Sequence, residues 1–555
     1  MGPRRERAAR NSEQLPKRPC GGAVGAPAVA AATTSTTPSI GSAVVFPVPP
    51  EHRVPTEIRT IQVNNVPDTP NANISNTLFL SDLPEFTVHE DDHERPSERA
   101  LAARLARYAQ MEAADPFALT RKELVKAITD IQGQTVHWED ITDLSLASKG
   151  LTSIHGLDEH CGRVGKLDIS RNALTQVDGA PPFLRQLDAT FNQITSLTSW
   201  GSLMNLQYLD LSNNDLDNLD GLSHLIHLRE LRVDDNHITT IDGIIELDGL
   251  ISFSARRNQI QSVHLEHFKL DRLIELDLGE NNITCLDGLE KLPCLRKLCL
   301  DSNPLGETMR EPAKLPTLKH LSLRNCGLEY LNVEGFPKLR RLNVDQNKLS
   351  SIDGLGQLKQ LKFLSMIGQN LAPGVHITIL DERIEVEEII VGDNELPRLN
   401  PNAICMSVKH LAAFNTGLQE LPKDFGVKFP NLNTLDLSYN GLKDIRPLAS
   451  LSRLEHLDLT GCCVDRLRKT VATLGEMEDL VSVDLRGTPL TKGFYERRRD
   501  REAAMSKETY RILIRSACKK LGMLDGKDFL DLGDEVDRDL VMERLIAVGV
   551  MRPSA

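Results

Sequence analysis

The side chains best suited to chemistry in this chain of 555 residues are its histidines and cysteines. His89 and His93 bracket three carboxylates in the run H-E-D-D-H, a set that could ligate a metal but sits in a polar tract with no further ligand signal. His224 with His227, and His264 with His267, read as surface or packing residues on connecting segments. Ten cysteines are scattered singly, apart from the Cys462-Cys463 pair. None forms C-x-x-C, and the spacing of Cys285, Cys294 and Cys299 fits no zinc site. The cysteines are therefore expected to be buried small apolar residues in a reducing compartment. Phosphate-cradling, nucleophile-elbow, metalloprotease and kinase motifs are all missing from the sequence, so no catalytic, cofactor or metal site is expected.

What remains is recognition, and one phrase dominates the sequence that would perform it. From about residue 141 to 490 the pattern L-x-L-x-x-N-x-L returns some sixteen times, as in LDISRNAL, LDLSNNDL, LRVDDNHI, LDLGENNI and LDLSYNGL. Steps of 20–26 residues separate the Asn positions: Asn172, Asn192, Asn214, Asn236, Asn258, Asn281, Asn303, Asn347, Asn394 and Asn440, with Lys149, Cys326, Gln369, Thr416, Cys462 and Thr488 in the same column. Such a period is the signature of leucine-rich repeats. The fold class expected is an α/β solenoid, a horseshoe of about sixteen repeats with helical caps at both ends. The leucines of L-x-L must face the core because strand side chains alternate. At the usual interstrand spacing such a sheet runs roughly 75–80 Å. The Asn column supplies side-chain amides to backbone groups buried where the chain turns away from the strand. Asp-Gly steps at Asp220, Asp242, Asp287 and Asp353 suggest that each Asp caps a short helical turn on the opposite side.

The inward-facing strand positions set the candidate binding surface. Their central column carries Asp at Asp168, Asp188, Asp210, Asp277, Asp436, Asp458 and Asp484, with Arg232 among them. This suggests an acidic trough for a basic partner, although L-D-L is also a common filler in such repeats. Exposed aromatics are better anchors, and Phe191, Tyr208, Phe363, Phe414 and Tyr439 are expected on this face.

Four segments follow along the chain. Residues 1–95 are rich in Pro, Ala, Ser and Thr and are expected to be a disordered arm. It carries an apolar island, TLFLSDLPEF, and two Thr-Pro steps, Thr37 and Thr69, as possible phosphosites. Residues 96–140 read as a helical cap with helices over 97–113 and from Thr120, where Thr120 and Glu123 suggest a capping box and Leu124, Val125, Ile128 and Ile131 share a face. Residues 141–490 are the solenoid. In 491–555 an amphipathic helix over 506–520, with Tyr510, Leu513, Ile514 and Ala517 inward, leads to a Leu-Asp-Gly turn. The arginines from Arg497 to Arg501 read as a solvated face. A net charge of −13 argues against nucleic-acid binding, and the sequence has no apolar run long enough to span a membrane and no secretion signal.

Details between the repeats resemble one family. The run W-E-D-I-T-D-L-S-L from Trp138, the V-D-G-A-P-P before Phe183 and the S-W-G of Ser199–Gly201 are similar to the fungal leucine-rich-repeat scaffold of the septation initiation network, whose budding-yeast counterpart serves mitotic exit. Animal centriolin is a more distant relative. The resemblance covers roughly residues 96–526. It implies a non-enzymatic scaffold at the spindle pole body, in the cytoplasmic cytoskeleton. The partners it implies are a coiled-coil anchor, a Ras-like small GTPase with its kinase, and a downstream kinase with its Mob coactivator. In that family a long arm recruits kinases; the arm here has only about 95 residues, so that role is not carried over. Two other readings compete. A regulatory subunit of protein phosphatase 1 would have a more compact array, and a ubiquitin-ligase adaptor would need an F-box-like module before the repeats.

The inward leucines carry a direct test. Replacing Leu276 or Leu209 by Asp places an unpaired charge in the core. Limited proteolysis of the variant should then cut the neighbouring repeats, which resist in the parent chain.

Overall fold

A computed structural model describes residues 118–132, 137–306, 314–372, 385–492 and 501–528. These all belong to the second of the two units into which the chain divides, Arg95–Ala555. The arm with Thr37, Thr69 and the H-E-D-D-H run, the first expected cap helix and Arg497–Arg499 lie outside the described residues.

Each repeat contributes one three-residue strand whose central residue is buried. In Tyr208–Asp210, Leu209 points into the core while Tyr208 and Asp210 face outward. The strands pair in parallel and in strict sequence. Asp143–Ser145 pairs with Lys166–Asp168, and the ladder continues repeat by repeat to Ser482–Asp484. The register sets Leu on Leu, as in Leu187, Leu209 and Leu231. Two short strands of the C-terminal segment close this eighteen-stranded sheet: Met523–Leu524 adds in parallel to Ser482–Val483, and Lys527–Asp528 turns back antiparallel. The chain is an α/β leucine-rich-repeat solenoid.

One backbone device recurs at the exit of nearly every strand. The residue before the ladder position adopts a left-handed conformation, with φ from +48° at Asn415 to +60° at Asn213. For residues other than glycine this conformation costs on the order of 1 kcal/mol or more. It aims the next side chain, the ladder asparagine, back under the turn. Asn236 shows the geometry. Its Nδ2 donates to the Leu211 carbonyl of the preceding repeat at 3.0 Å and to its own Val233 carbonyl at 3.1 Å. Its Oδ1 accepts from the Leu216 amide at 3.0 Å. Asn192, Asn214, Asn281, Asn303 and Asn440 make the same three contacts. Gln369 reaches the same groups with its longer amide, to the Val344 carbonyl and from the Leu349 amide. Cys326 and Cys462 offer only a thiol, to the carbonyls of Leu300 and Leu437.

Behind the sheet the chain returns through short 3-10 turns, including Asp220–Leu222, Asp242–Ile244 and Leu355–Gln357, and through the longer helix Leu467–Gly475. Successive turns approach closely. A Cβ at Gly243 would meet the Leu219 carbonyl at 2.3 Å, so only glycine fits there. The Asp-Gly aspartates do not cap these turns. No side-chain cap is made at Asp220 or Asp242, which are themselves the first turn residues. Asp287 ends a strand and Asp353 forms a bridge with Asn332, each followed by a glycine with positive φ.

The helix Ala118–Gln132 lays Leu124, Ala127 and Ile128 on the first repeats. It already includes Thr120 in its first turn, which is therefore not an N-cap, and its Ile131 faces outward, one turn beyond the last contact. At the other end the helix Arg501–Ala517 starts and stops earlier than its hydrophobic pattern suggested. It buries Tyr510 and Ile514, packs Leu513 on Leu467 and Val471, and leaves Ala517 partly covered against the core. The Tyr510 hydroxyl donates to buried Asp525 at 3.0 Å, and Asp525 also accepts from the Leu485 amide at 2.8 Å. Among the cysteines, Cys294 and Cys463 are exposed and Cys285 and Cys299 half-buried, against the expectation of burial. Adjacent Cys462 and Cys463 must face opposite ways, and Cys294 sits in a loop.

Removing the Asn236 amide leaves the buried Leu216 amide without a partner and takes one of two donors from each of the Leu211 and Val233 carbonyls. Asn236→Ala should lower stability by about 2–3 kcal/mol, read as a shift of the denaturant midpoint.

Candidate protein-interaction surface

The outward positions of the strands form one continuous sheet face, and its polar residues are held by the turns that follow each strand. In L-D-L repeats the aspartate folds back on its own chain. Asp168, Asp188, Asp210, Asp277, Asp436, Asp458 and Asp484 each accept, through Oδ1, from the amide two residues on, at 2.8–3.1 Å. Where the strand carries Ser instead, the carboxylate comes from the preceding repeat. Asp234, Asp301 and Asp345 each accept at 2.6 Å from Ser254, Ser322 and Ser365, and from the amides of Arg256, Arg324 and Ile367. The same turn amide thus receives a carboxylate by two routes, one within the repeat and one between repeats. The aspartate column is turn chemistry before it is an acidic trough. The sequence signal for the second route was present, since each of these Ser residues follows an Asp two positions after the central column of the previous repeat.

Burial tunes these carboxylates unequally. Burial opposes ionisation of Asp168, but hydrogen bonds from Ser170 and Ser145 and nearby Lys166 outweigh it and hold its pKa below the usual range. Burial lifts Asp234 and Asp436. Asp458 lies between Asp436 and Asp484 on adjacent strands. Burial first, then those two neighbouring carboxylates, push it up to about 6. Asp484 is gripped by Arg486, with an Nη2–Oδ2 distance of 2.6 Å.

The proposed anchor residues are spread along this face. Tyr208 is about half exposed at 45%, and it stands on the strand that also carries Asp210. Arg232, on the next strand, is tied to Glu230 at 2.6 Å. Asp277 also lies 3.9 Å from Arg256. Phe191 and Tyr439 are not on strands but at the left-handed turn position, both exposed. The Arg171 guanidinium lies 4.5 Å from the centre of the Phe191 ring. Phe363 and Phe414 are only partly exposed. Arg341 lies over Phe363 at 5.3 Å, and Phe414 lies flat on Gly392, where a Cβ would come within 2.3 Å of the ring. Tyr208, Asp210 and Arg232 therefore come together, whereas Phe363, Phe414 and Tyr439 belong to later repeats.

Two features of the face escaped a reading of the central column alone. Arg256 and Arg257 both pair with Glu280, and Arg257 also with Asp235, at 3.2 Å. Beside them lies a polar depression of about 230 Å³ lined by Arg232, Asp234, Ser254, Asp277 and Lys297. One edge of the sheet is basic over several repeats, from Arg296 and Lys297 through Lys319, Arg340 and Arg341 to Lys362. Burial first, then Arg341, Lys297, Lys319 and Arg340, hold the His320 imidazole below its ordinary pKa.

The Asp458 carboxyl supplies a pH test. Its folded pKa exceeds the unfolded value of 3.8, so the native state holds more protons between about pH 4 and 6 and loses stability as pH rises through that window. Asp458→Asn keeps the acceptor for the Thr460 amide without the charge. It should raise stability at pH 7.5 by roughly 1–3 kcal/mol and change little at pH 4, as measured by denaturant midpoints.

Known proteins match this architecture. A "Leucine rich repeat" family model covers residues 251–305, and one for "Leucine Rich repeats (2 copies)" covers 182–224 and 430–469. A leucine-rich-repeat protein of Leptospira interrogans has a similar structure with a TM-score of 0.50 at 22% identity, over 70% of this chain and 96% of that one. This likeness concerns the fold alone. Among curated proteins, the septation initiation network scaffold protein cdc11 of Schizosaccharomyces pombe is 33% identical over 387 residues, 70% of this chain and 37% of that protein. The chain thus spans little more than a third of that relative's length. A Roc-COR-CHAT protease of an unknown prokaryotic organism is 27% identical over 188 residues, 34% of this chain and 15% of that protein. The chain is a leucine-rich-repeat protein, and over 70% of its length it is similar to the septation initiation network scaffold protein of fission yeast.

Proposed function

We propose that this chain is a protein-binding scaffold in septation and cytokinesis, its sheet face holding macromolecular partners. The observation that carries the reading is the 33% identity with a septation initiation network scaffold, sustained over 387 residues. The charge pattern supports protein partners. Asp168, Asp188 and Asp210 on three consecutive strands, with Tyr208 beside them, suit a basic segment carrying an apolar anchor. The basic edge from Arg296 to Lys362 suits an acidic one. No helix among the described residues is long and apolar enough to cross a membrane.

The finer reading takes its content from the family. The chain anchors a cascade at the spindle pole body: a coiled-coil anchor, a Ras-like GTPase with its kinase, and a downstream kinase with its Mob coactivator. The timing of septation and mitotic exit is the output.

Imaging the tagged full chain through mitosis tests this directly. A focus at the spindle poles is expected, and a diffuse signal at every stage would remove the assignment. Tyr208→Ala should weaken at least one captured partner by about tenfold or more, with the fold unchanged by circular dichroism. Unaltered binding of every partner would show that the acidic third of the face is not the docking surface.

A further inference from the structure

Behind the sheet, two neighbouring repeats pair as strands. Ser262–His264 and Cys285–Asp287 form a separate two-stranded parallel sheet, with His264 directly opposite Asp287. Val263 and Leu286 are the buried residues of this pair. Strand alternation therefore turns His264, Cys285 and Asp287 to the outer side together. Their donor atoms all lie within 4.8 Å of one another. The His264 Nδ1 is 3.3 Å from Asp287 Oδ2, and the Cys285 thiol donates to the same oxygen at 3.1 Å.

We propose that His264, Cys285 and Asp287 form a three-ligand site for a divalent transition ion of the zinc class. The spacing fits. With metal–nitrogen and metal–oxygen bonds of about 2.0 Å and a metal–sulfur bond of about 2.3 Å, tetrahedral ligands stand about 3.3 Å apart for N and O, and about 3.5 Å for S and O. The observed pairs lie at or just inside those separations, so the side chains need only small rotations. The donor set of thiolate, imidazole and carboxylate suits zinc or cobalt rather than calcium or magnesium, which take oxygen. Two hydrogen-bonded strands, each with its central residue in the core, hold the three carriers in place before any ion arrives. In the metal-free site the Cys285 thiol donates its hydrogen to Asp287. Binding therefore releases one proton from the thiol and leaves thiolate and carboxylate to balance the two positive charges. Affinity should fall as pH is lowered. Three protein ligands leave a fourth position, filled by water or by a donor from a docked partner, on the side of the solenoid opposite the sheet face.

The test is titration of the reduced full-length chain with cobalt(II), followed by the visible ligand-field bands and the near-ultraviolet thiolate-to-cobalt charge-transfer band. A saturable band at one ion per chain is expected. Cys285→Ser should abolish the charge-transfer band, and His264→Ala should weaken binding by roughly tenfold or more. Zinc should displace the cobalt. Cys294→Ser and Cys463→Ser should leave the band intact, because those thiols are not part of the cluster. The proposal is overturned if the parent chain gives no charge-transfer band, or if the band survives Cys285→Ser. Circular dichroism of each variant separates loss of ligand from loss of fold.

Discussion

Everything in this molecule depends on satisfying the backbone where each strand ends. The chain leaves the sheet through a left-handed residue and turns across a dry interior, stranding carbonyls of two repeats and an amide of one. The ladder asparagine serves all three with one planar amide, as Asn214 does with Ala189, Leu211 and Ile194. A hydroxyl or thiol satisfies fewer groups, which is the physical reason Asn prevails and Cys326 or Cys462 stand as exceptions. These bonds reach no farther than the neighbouring repeat, so the array is stabilised locally and can lengthen without a larger core.

A second column, on the sheet face, solves a related problem with carboxylates. After ten of the strands the turn amide is capped by a carboxylate, either the strand's own Asp or an Asp from the repeat before. This accounts for Ser254, Ser322 and Ser365 in a column otherwise rich in Asp. It also means that much of the negative charge there is committed inward, to Ser and backbone donors. The surface left for partners is the first position of each strand, the left-handed turn residue and the edge preceding the strand. There Tyr208, Phe191, Tyr439 and the basic run from Arg296 to Lys362 stand free of the turn.

The strands were legible in the sequence because their apolar spacing is imposed by burial at every repeat, and Leu209 or Leu276 could play no other part. The state of the polar residues was less so. An Asp in L-D-L looks the same whether it faces solvent or a backbone amide; only its neighbour two residues on, and the serine one repeat later, distinguish the cases. The aspartates of the Asp-Gly steps resembled helix caps because the residue type fits, but at Asp220 the turn begins on the aspartate itself. His264 stands 21 residues before Cys285 and 23 before Asp287, and the three share no motif. They meet only because parallel pairing folds one repeat period into a single interstrand step. Their proximity follows from register, which local spacing does not reveal.

Amide hydrogen exchange on the full chain tests the ladder most directly. The amides that ladder side chains accept, among them Leu174, Leu216, Ile238 and Ile283, should exchange as slowly as those of the central strands, evenly from one repeat to the next. Exchange at these amides as fast as at the outer 3-10 turns would mean that the asparagine column does not hold the solenoid together.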